Sequence, residues 1–131
     1  MLLKNKVLLD TSAFLAWLKN ENGAEVVRGI IKESAMSLVN IAELVSTLTK
    51  EGYTQADVNQ IIQSVSPVIL PFNEDIAFEA GLLISKTKEY GLSLGDRACI
   101  ITALHYNLEL YTADKIWVKL DIKNLKLRLI R

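Results

Sequence analysis

The sequence predicts an α/β domain in which helices cover both faces of a mainly parallel sheet of four or five strands. Short apolar runs alternate with longer segments of helical periodicity, which is the order of a strand–helix–strand fold. The apolar runs are continuous, as expected for strands that are buried on both faces. The chain has 131 residues, half of them apolar, which suits one domain, 1–131, with a sizeable core.

The first half of the chain contains two predicted strands and four predicted helices. Asp10, Thr11 or Ser12 can cap the helix that follows the first strand. Asn40 is predicted to open the helix after the second strand, and Thr54 to cap the next helix. The predicted strands are 7–9 and 35–39, and the predicted helices are 13–20, 24–33, 41–51 and 57–65.

Proline and glycine delimit the elements of the second half. Pro67 and Pro71 bracket a third short strand. Asn73 is predicted to cap a long helix that ends before Gly91, and Ser93 begins the next helix. The predicted strands are 68–70, 108–111 and 125–130, and the predicted helices are 74–90, 93–106 and 114–120.

Four acidic residues, here called the acidic quartet, stand where an apolar run ends and a helical pattern begins: Asp10, Glu43, Asp96 and Asp114. In an alternating fold, the segments that follow parallel strands lie at one edge of the sheet. Carboxylates gathered there repel one another at neutral pH unless a cation lies among them. Oxygen ligands without cysteine or histidine suit Mg²⁺ or Mn²⁺. The quartet therefore predicts metal-assisted chemistry on a phosphate ester.

Each acid of the quartet also has a purely structural explanation. Asp10 and Asp114 are suited to the start of a helix. Asn40 and Ser93 each stand three residues before an acid of the quartet, which is the spacing of a capping box. A capping side chain gains roughly 1 kcal/mol from its local bonds. Repulsion among crowded carboxylates would offset that gain, so capping alone does not explain why four of them should converge.

Composition and charge narrow the possible classes of protein. Lysine plus arginine equal aspartate plus glutamate at 15 each, so the net charge gives no evidence for a nucleic-acid partner. Six basic residues after Asp114 form either a solvated surface or a rim that attracts phosphate. No segment approaches the roughly 20 apolar residues of a membrane span. Lys4 and Lys6 interrupt the N-terminus, so we expect no secretory signal and a cytoplasmic location.

The ordered motifs LLDTSAFLAWL, NIAEL, LSLGDRACIITAL and LYTADKIW resemble those of PIN domains. The resemblance is strongest to the small single-domain VapC-type toxins of prokaryotic toxin–antitoxin pairs, and it runs from Val7 to Trp117. It implies a three-layer α/β/α fold and a divalent-metal-dependent ribonuclease. It also implies an RNA substrate, an inhibitory antitoxin protein as partner, and a homodimer.

The resemblance assigns roles to individual positions. It implies that Asp10, Glu43, Asp96 and Asp114 are the catalytic residues and the ligands of Mg²⁺ or Mn²⁺. Ser12 and Thr112 match accessory hydroxyl positions of the family.

The sequence is also compatible with other functions. A PIN nuclease that processes RNA outside a toxin pair has the same motifs. A phosphatase that works through an aspartyl-phosphate would use Asp10 as its nucleophile, but such enzymes have a second aspartate where this chain has Ser12. A non-catalytic interaction module would use the apolar faces of segments 44–50 and 78–86, which are more often core. The sequence does not encode which RNA is the target.

Overall fold

The computed structural model describes residues 7–131, so Lys4 and Lys6 lie outside the described residues. The strands are β1 Val7–Leu9, β2 Ser34–Ser37, β3 Val68–Leu70, β4 Glu109–Thr112 and β5 Lys126–Leu129. The α-helices are α1 Thr11–Leu18, α2 Ala24–Arg28, α3 Leu38–Lys50, α4 Gln55–Val65, α5 Glu74–Leu82, α6 Ile84–Thr87 and α7 Leu94–Tyr106. Short 3-10 helices cover Ile31–Glu33, Lys88–Tyr90 and Lys115–Lys119.

The five strands form one sheet in the order β3-β2-β1-β4-β5, and every neighbouring pair is parallel. In the register, Leu8 lies beside Ala35 on one side and Leu110 on the other. The chain builds outwards from β1 in one direction through β2 and β3, and in the other direction through β4 and β5. The carboxyl ends of β1 and β4 therefore flank the point where the strand order reverses, which is where open α/β sheets bind ligands.

Helices cover both faces of this sheet, which confirms the predicted three-layer α/β/α architecture. Neighbouring strand residues point to opposite faces, so Leu8 and Leu9 of β1 enter two different apolar clusters. Ala35 and Met36 of β2 divide in the same way. One cluster includes side chains of α5 and α7, and the other includes side chains of α1, α3 and α4. Within the described residues, no helix is long and apolar enough to cross a bilayer.

The prediction for the second strand and the following helix was wrong by several residues. The strand ends at Ser37, and Leu38 and Val39 belong to α3. Ser37 caps α3 because its hydroxyl accepts a hydrogen bond from the backbone N–H of Asn40 at 3.1 Å. Asn40 is therefore the third residue of the helix and not its cap. The apolar pair before Asn40 had made the strand seem longer in the sequence.

Two predicted helices are interrupted in the structure. Segment 24–33 divides at Gly29, a residue of low helix propensity, into α2 and a 3-10 turn. Segment 74–90 divides into α5, α6 and a 3-10 turn. The hydroxyl of Thr87 donates to the carbonyl of Leu83 at 3.1 Å, and this type of bond bends helices. The predicted helix 114–120 is a 3-10 helix, Lys115–Lys119.

Candidate functional site

The acidic quartet lines one pocket of about 270 Å³ at the carboxyl edge of the sheet. Asp10 directly follows β1, and Asp114 lies two residues after β4. Asp96 lies in the first turn of α7, and Glu43 in the second turn of α3. Four separate segments of the chain therefore bring a carboxylate to the same place. The other residues that line the pocket are Thr11, Ser12, Leu15, Asn40, Thr47 and Trp117.

Asp10 is buried and is held by three hydrogen bonds. Its Oδ1 accepts from the N–H of Ala13 at 2.8 Å, which caps α1, and from the hydroxyl of Ser12 at 2.7 Å. Its Oδ2 accepts from the hydroxyl of Thr112 at 2.5 Å. Burial raises the pKa of Asp10 from 3.8 to about 6, although these bonds lower it, and the charge of Asp96 raises it further. Ionisation of the buried Asp10 therefore costs free energy, and a positive charge beside it would offset that cost.

Glu43 is held by the side chains of Asn40 and Thr11. Its Oε1 accepts from the Asn40 side-chain amide at 2.7 Å and from the Thr11 hydroxyl at 3.1 Å. Asn40 is itself buried, and its Oδ1 accepts from the Ser37 hydroxyl at 2.7 Å. This network joins the first turn of α1 to the start of α3. It fixes the direction in which the Glu43 side chain extends.

Asp96 and Asp114 each use one carboxylate oxygen to cap a helix. Oδ2 of Asp96 accepts from the N–H of Ser93 at 2.9 Å, as in the predicted capping box, and Oδ1 of Asp114 accepts from the N–H of Ile116 at 3.1 Å. Burial raises the pKa of Asp96, and the charge of Asp114 adds to this, while the bonds with Ser93 oppose it. Within the described residues, no hydrogen bond ends on Oδ1 of Asp96, Oδ2 of Asp114 or Oε2 of Glu43.

The two predicted accessory hydroxyls connect the ends of β1 and β4. The Oγ of Ser12 lies 3.3 Å from the Oγ1 of Thr112 and accepts from the N–H of Ala113 at 3.0 Å. The Oγ1 of Thr112 accepts from the N–H of Asp114 at 3.1 Å. Because both hydroxyls also donate to Asp10, they fix its carboxylate relative to the loop that carries Asp114.

No lysine or arginine in the part of the chain that the structure describes forms a salt bridge with the quartet. The salt bridges found there join Lys19 to Glu51, Arg128 to Glu109, and Arg131 to Glu21. Arg97 follows Asp96 in sequence, but its Nη1 donates to the carbonyl of Ala80 at 2.9 Å. No salt bridge of the described residues therefore neutralises the pocket, although the charge of Arg97 lowers the pKa of Asp96.

The four carboxylates nevertheless do not form a compact ligand shell. Among residues 7–131, no group of three or more histidine, cysteine, aspartate or glutamate side chains is placed to hold a metal ion. The donor atoms suit Mg²⁺ or Mn²⁺, because all of them are carboxylate oxygens and three of them accept no hydrogen bond from the described residues. The chemistry of the donors fits a hard cation, whereas their present spacing does not match a closed coordination sphere.

Asn40 and Trp117 line the pocket but were not assigned to the site from the sequence. Asn40 was taken as a helix cap, although its position three residues before Glu43 places both on one helix face and could have indicated the contact. Trp117 is buried in the pocket lining, and its indole Nε1 has no hydrogen-bond partner among the described residues. No local pattern distinguishes such a tryptophan from an ordinary core residue.

The protein is a parallel α/β protein with an acidic pocket at the carboxyl edge of its sheet. A comparison with family models identifies the family. The model of the PIN domain matches residues 7–123, and the chain belongs to the PIN domain family. This confirms the resemblance that the sequence motifs indicated.

Solved structures show the same fold over nearly the whole chain. A toxin–antitoxin complex from Klebsiella pneumoniae contains a chain with a TM-score of 0.72 and 22% identity, and the match covers 95% of this chain and 98% of that one. A chain of VapBC-1 from nontypeable Haemophilus influenzae has a TM-score of 0.70 and 23% identity, and the match covers 95% of this chain and 97% of that one. The structure of VapBC2 from Rickettsia felis was solved with a DNA fragment of its promoter. It contains a chain with a TM-score of 0.72 and 20% identity, and the match covers 94% of this chain and 97% of that one. At these identities the similarity establishes the fold.

Proposed function

We propose that this protein is a divalent-metal-dependent endoribonuclease that acts as the toxin of a VapBC-type toxin–antitoxin pair. The observation that carries the proposal is the convergence of four carboxylates, from four separate segments, in one pocket where the described residues supply no salt bridge to them. Membership of the PIN domain family supports nuclease chemistry. Similarity to chains from toxin–antitoxin complexes supports the toxin role.

In this proposal Asp10 and Asp96 are the main ligands of Mg²⁺ or Mn²⁺, and Glu43 and Asp114 bind directly or through water. Like charges repel one another, and a divalent ion bound among these carboxylates would offset that repulsion. Asp96, Asp114 and Glu43 each contribute an oxygen that is not engaged in the described network. When bound, such an ion lowers the pKa of a water molecule and stabilises charge on a phosphoryl oxygen.

The chain's own hydroxyls and amides orient the carboxylates for this role. Ser12 and Thr112 donate to both oxygens of Asp10, which favours its ionised form and sets the plane of the carboxylate. Asn40 and Thr11 hold Oε1 of Glu43, so that Oε2 is the oxygen available to the pocket. Such fixed orientation removes reorganisation from the reaction step.

The partners follow from the same proposal. An RNA substrate fits an enzyme that hydrolyses phosphodiester bonds in the cytoplasm, and a cognate antitoxin protein is expected to inhibit it. The homodimer implied by the family resemblance remains a prediction, which light scattering of the purified protein can test. A short upstream reading frame for a DNA-binding antitoxin would support the toxin role over RNA processing.

The decisive experiment measures cleavage of a panel of purified transfer, ribosomal and messenger RNAs with Mg²⁺, with Mn²⁺ and with EDTA. We expect cleavage only with a divalent ion and loss of cleavage in Asp96→Asn. The matched control is Asp75→Asn, because Asp75 also lies in the first turn of a helix, α5, but outside the acidic pocket. Cleavage that persists in EDTA, or an equal loss in both variants, would contradict the proposal.

A further inference from the structure

Gly95, the second residue of α7, lies directly against the carboxylate of Glu43. A β-carbon built on Gly95 would lie 2.6 Å from Oε1 of Glu43, and closer still to Oε2 and Cδ. Atoms that are not bonded to each other do not approach so closely. Gly95 is buried and adopts no left-handed backbone angle, so any residue could adopt its backbone conformation. The space that Glu43 occupies is therefore the steric reason for a glycine at this position.

A second helical glycine shows the contrast. Gly81 lies within α5, and a β-carbon added there would meet no atom within 4 Å. Alanine has a higher helix propensity than glycine, so replacing Gly81 should favour α5. Replacing Gly95 would bring the same gain in propensity together with a collision. A comparison of alanine variants at the two positions therefore distinguishes the effect of helix propensity from the effect of the contact with Glu43.

The collision would displace the carboxylate and not the helix. The atoms in the way are the flexible end of the Glu43 side chain, which can rotate, whereas the backbone of α7 is fixed by its hydrogen bonds. Rotation would break the bonds from Asn40 and Thr11 to Oε1. Glu43 would then leave the position that it shares in the pocket with Asp96.

We infer that Gly95 is a positioning residue. Because it has no side chain, the Glu43 carboxylate can occupy the adjacent space and extend into the pocket. The inference rests on the proposed nuclease function. It adds a sequence requirement outside the acidic quartet, since the residue immediately before Asp96 must lack a β-carbon for Glu43 to reach the pocket. Gly95 itself touches neither substrate nor ion in this scheme.

The test compares Gly95→Ala with Gly81→Ala in four measurements: kcat, KM, the Mn²⁺ dissociation constant by calorimetry, and the melting temperature in EDTA. We expect Gly95→Ala to lower kcat by about a hundredfold, the effect of misplacing a group by about 1 Å. We also expect weaker Mn²⁺ binding and a metal-free melting temperature close to that of the wild type. Gly81→Ala should keep wild-type kcat. If Gly95→Ala keeps kcat and Mn²⁺ affinity within about twofold of the wild type, the inference is wrong.

A double-mutant cycle shows whether the effect passes through Glu43. Glu43→Asp shortens the side chain and withdraws it from Gly95, so adding Gly95→Ala to that variant should lower kcat much less than in the wild type. Equal losses in both backgrounds would overturn the inference. If Gly95→Ala alone does not fold, folding of the double variant supports the contact with Glu43, and failure of both contradicts it.

Failure of the proposed function has a different signature. A wild-type protein that neither binds Mn²⁺ nor cleaves RNA refutes the nuclease itself, and the inference with it. An active wild type with an equally active Gly95→Ala variant refutes only the positioning role.

Discussion

Replacing Asp10 by asparagine should stabilise the metal-free protein while abolishing its activity. Burial raises the pKa of Asp10 from 3.8 to about 6, so ionised Asp10 destabilises the folded state relative to the unfolded state at neutral pH. At 1.36 kcal/mol per pKa unit, the difference corresponds to about 3 kcal/mol of stability lost at pH 7. Asparagine carries no charge, so the variant does not bear this cost of burying an ionised group.

The hydrogen bonds around Asp10 can accommodate the amide. Asparagine is as good a helix cap as aspartate, and its Oδ1 can still accept from the N–H of Ala13 and the hydroxyl of Ser12. Its Nδ2 can donate to the Oγ1 of Thr112, whose own proton can turn to Ser12, 3.3 Å away. Since no buried group loses its partner, we expect a net gain of roughly 1–3 kcal/mol, or up to about 10 °C in melting temperature.

The raised pKa of Asp10 also predicts how the stability of the wild type changes with pH. A carboxyl whose folded pKa is raised contributes stability that is fully present below pH 3.8 and is lost as pH rises to about 6. The stability of the wild type relative to Asp10→Asn should therefore fall across that interval and stay constant above it. Urea denaturation in EDTA at a series of pH values from 4 to 8 measures the difference. A variant that is less stable than the wild type at pH 7, or a difference that does not change with pH, would refute the reasoning.

Further predictions concern the ion, a second aspartate and the support of Glu43. Mn²⁺ at a hundred times its dissociation constant should stabilise the wild type by about 2.7 kcal/mol, and the melting temperature of Asp10→Asn should not respond to Mn²⁺. Asp96→Asn should abolish metal-dependent cleavage yet leave the metal-free melting temperature unchanged or higher, whereas a large decrease would favour a structural role. Asn40→Ala should lower kcat by roughly tenfold to a hundredfold because Glu43 loses one of its two hydrogen-bond donors, and unchanged kcat in steady-state assays would contradict this.

The sequence predicted the layers and the pocket because both depend on chain order and local patterns. Buried strands and amphipathic helices alternate along the chain, and such alternation permits few topologies. The carboxyl edge of a parallel sheet then gathers Asp10 and Asp114 whatever the lengths of the helices. Glu43 and Asp96 were singled out by the same criterion, an acid between an apolar run and a helical pattern, and the motif resemblance assigned all four acids to one site.

Other parts of the site could not be predicted from the sequence. The boundary at Ser37 depends on which of two residues, Ser37 or Asn40, caps α3, and both types are good caps. The bond between Thr11 and Glu43 joins residues that lie 32 positions apart, and the contact of Glu43 with Gly95 joins two different helices. Such contacts are set by how the helices pack, and local propensity carries no information about them.

The structural and functional explanations of the acids are compatible because a carboxylate has two oxygens. Asp96 and Asp114 each use one oxygen for a cap and leave the other without a bond from the described residues. Capping thus fixes where each carboxylate points, and the same bonds that stabilise a helix start also orient a ligand. Glu43 differs, since it lies beyond the first turn of α3 and its hydrogen bonds from residues 7–131 come from the side chains of Asn40 and Thr11. The start of α3 is capped by Ser37 and does not depend on Glu43. Glu43 is therefore the acid of the quartet for which helix capping gives no explanation.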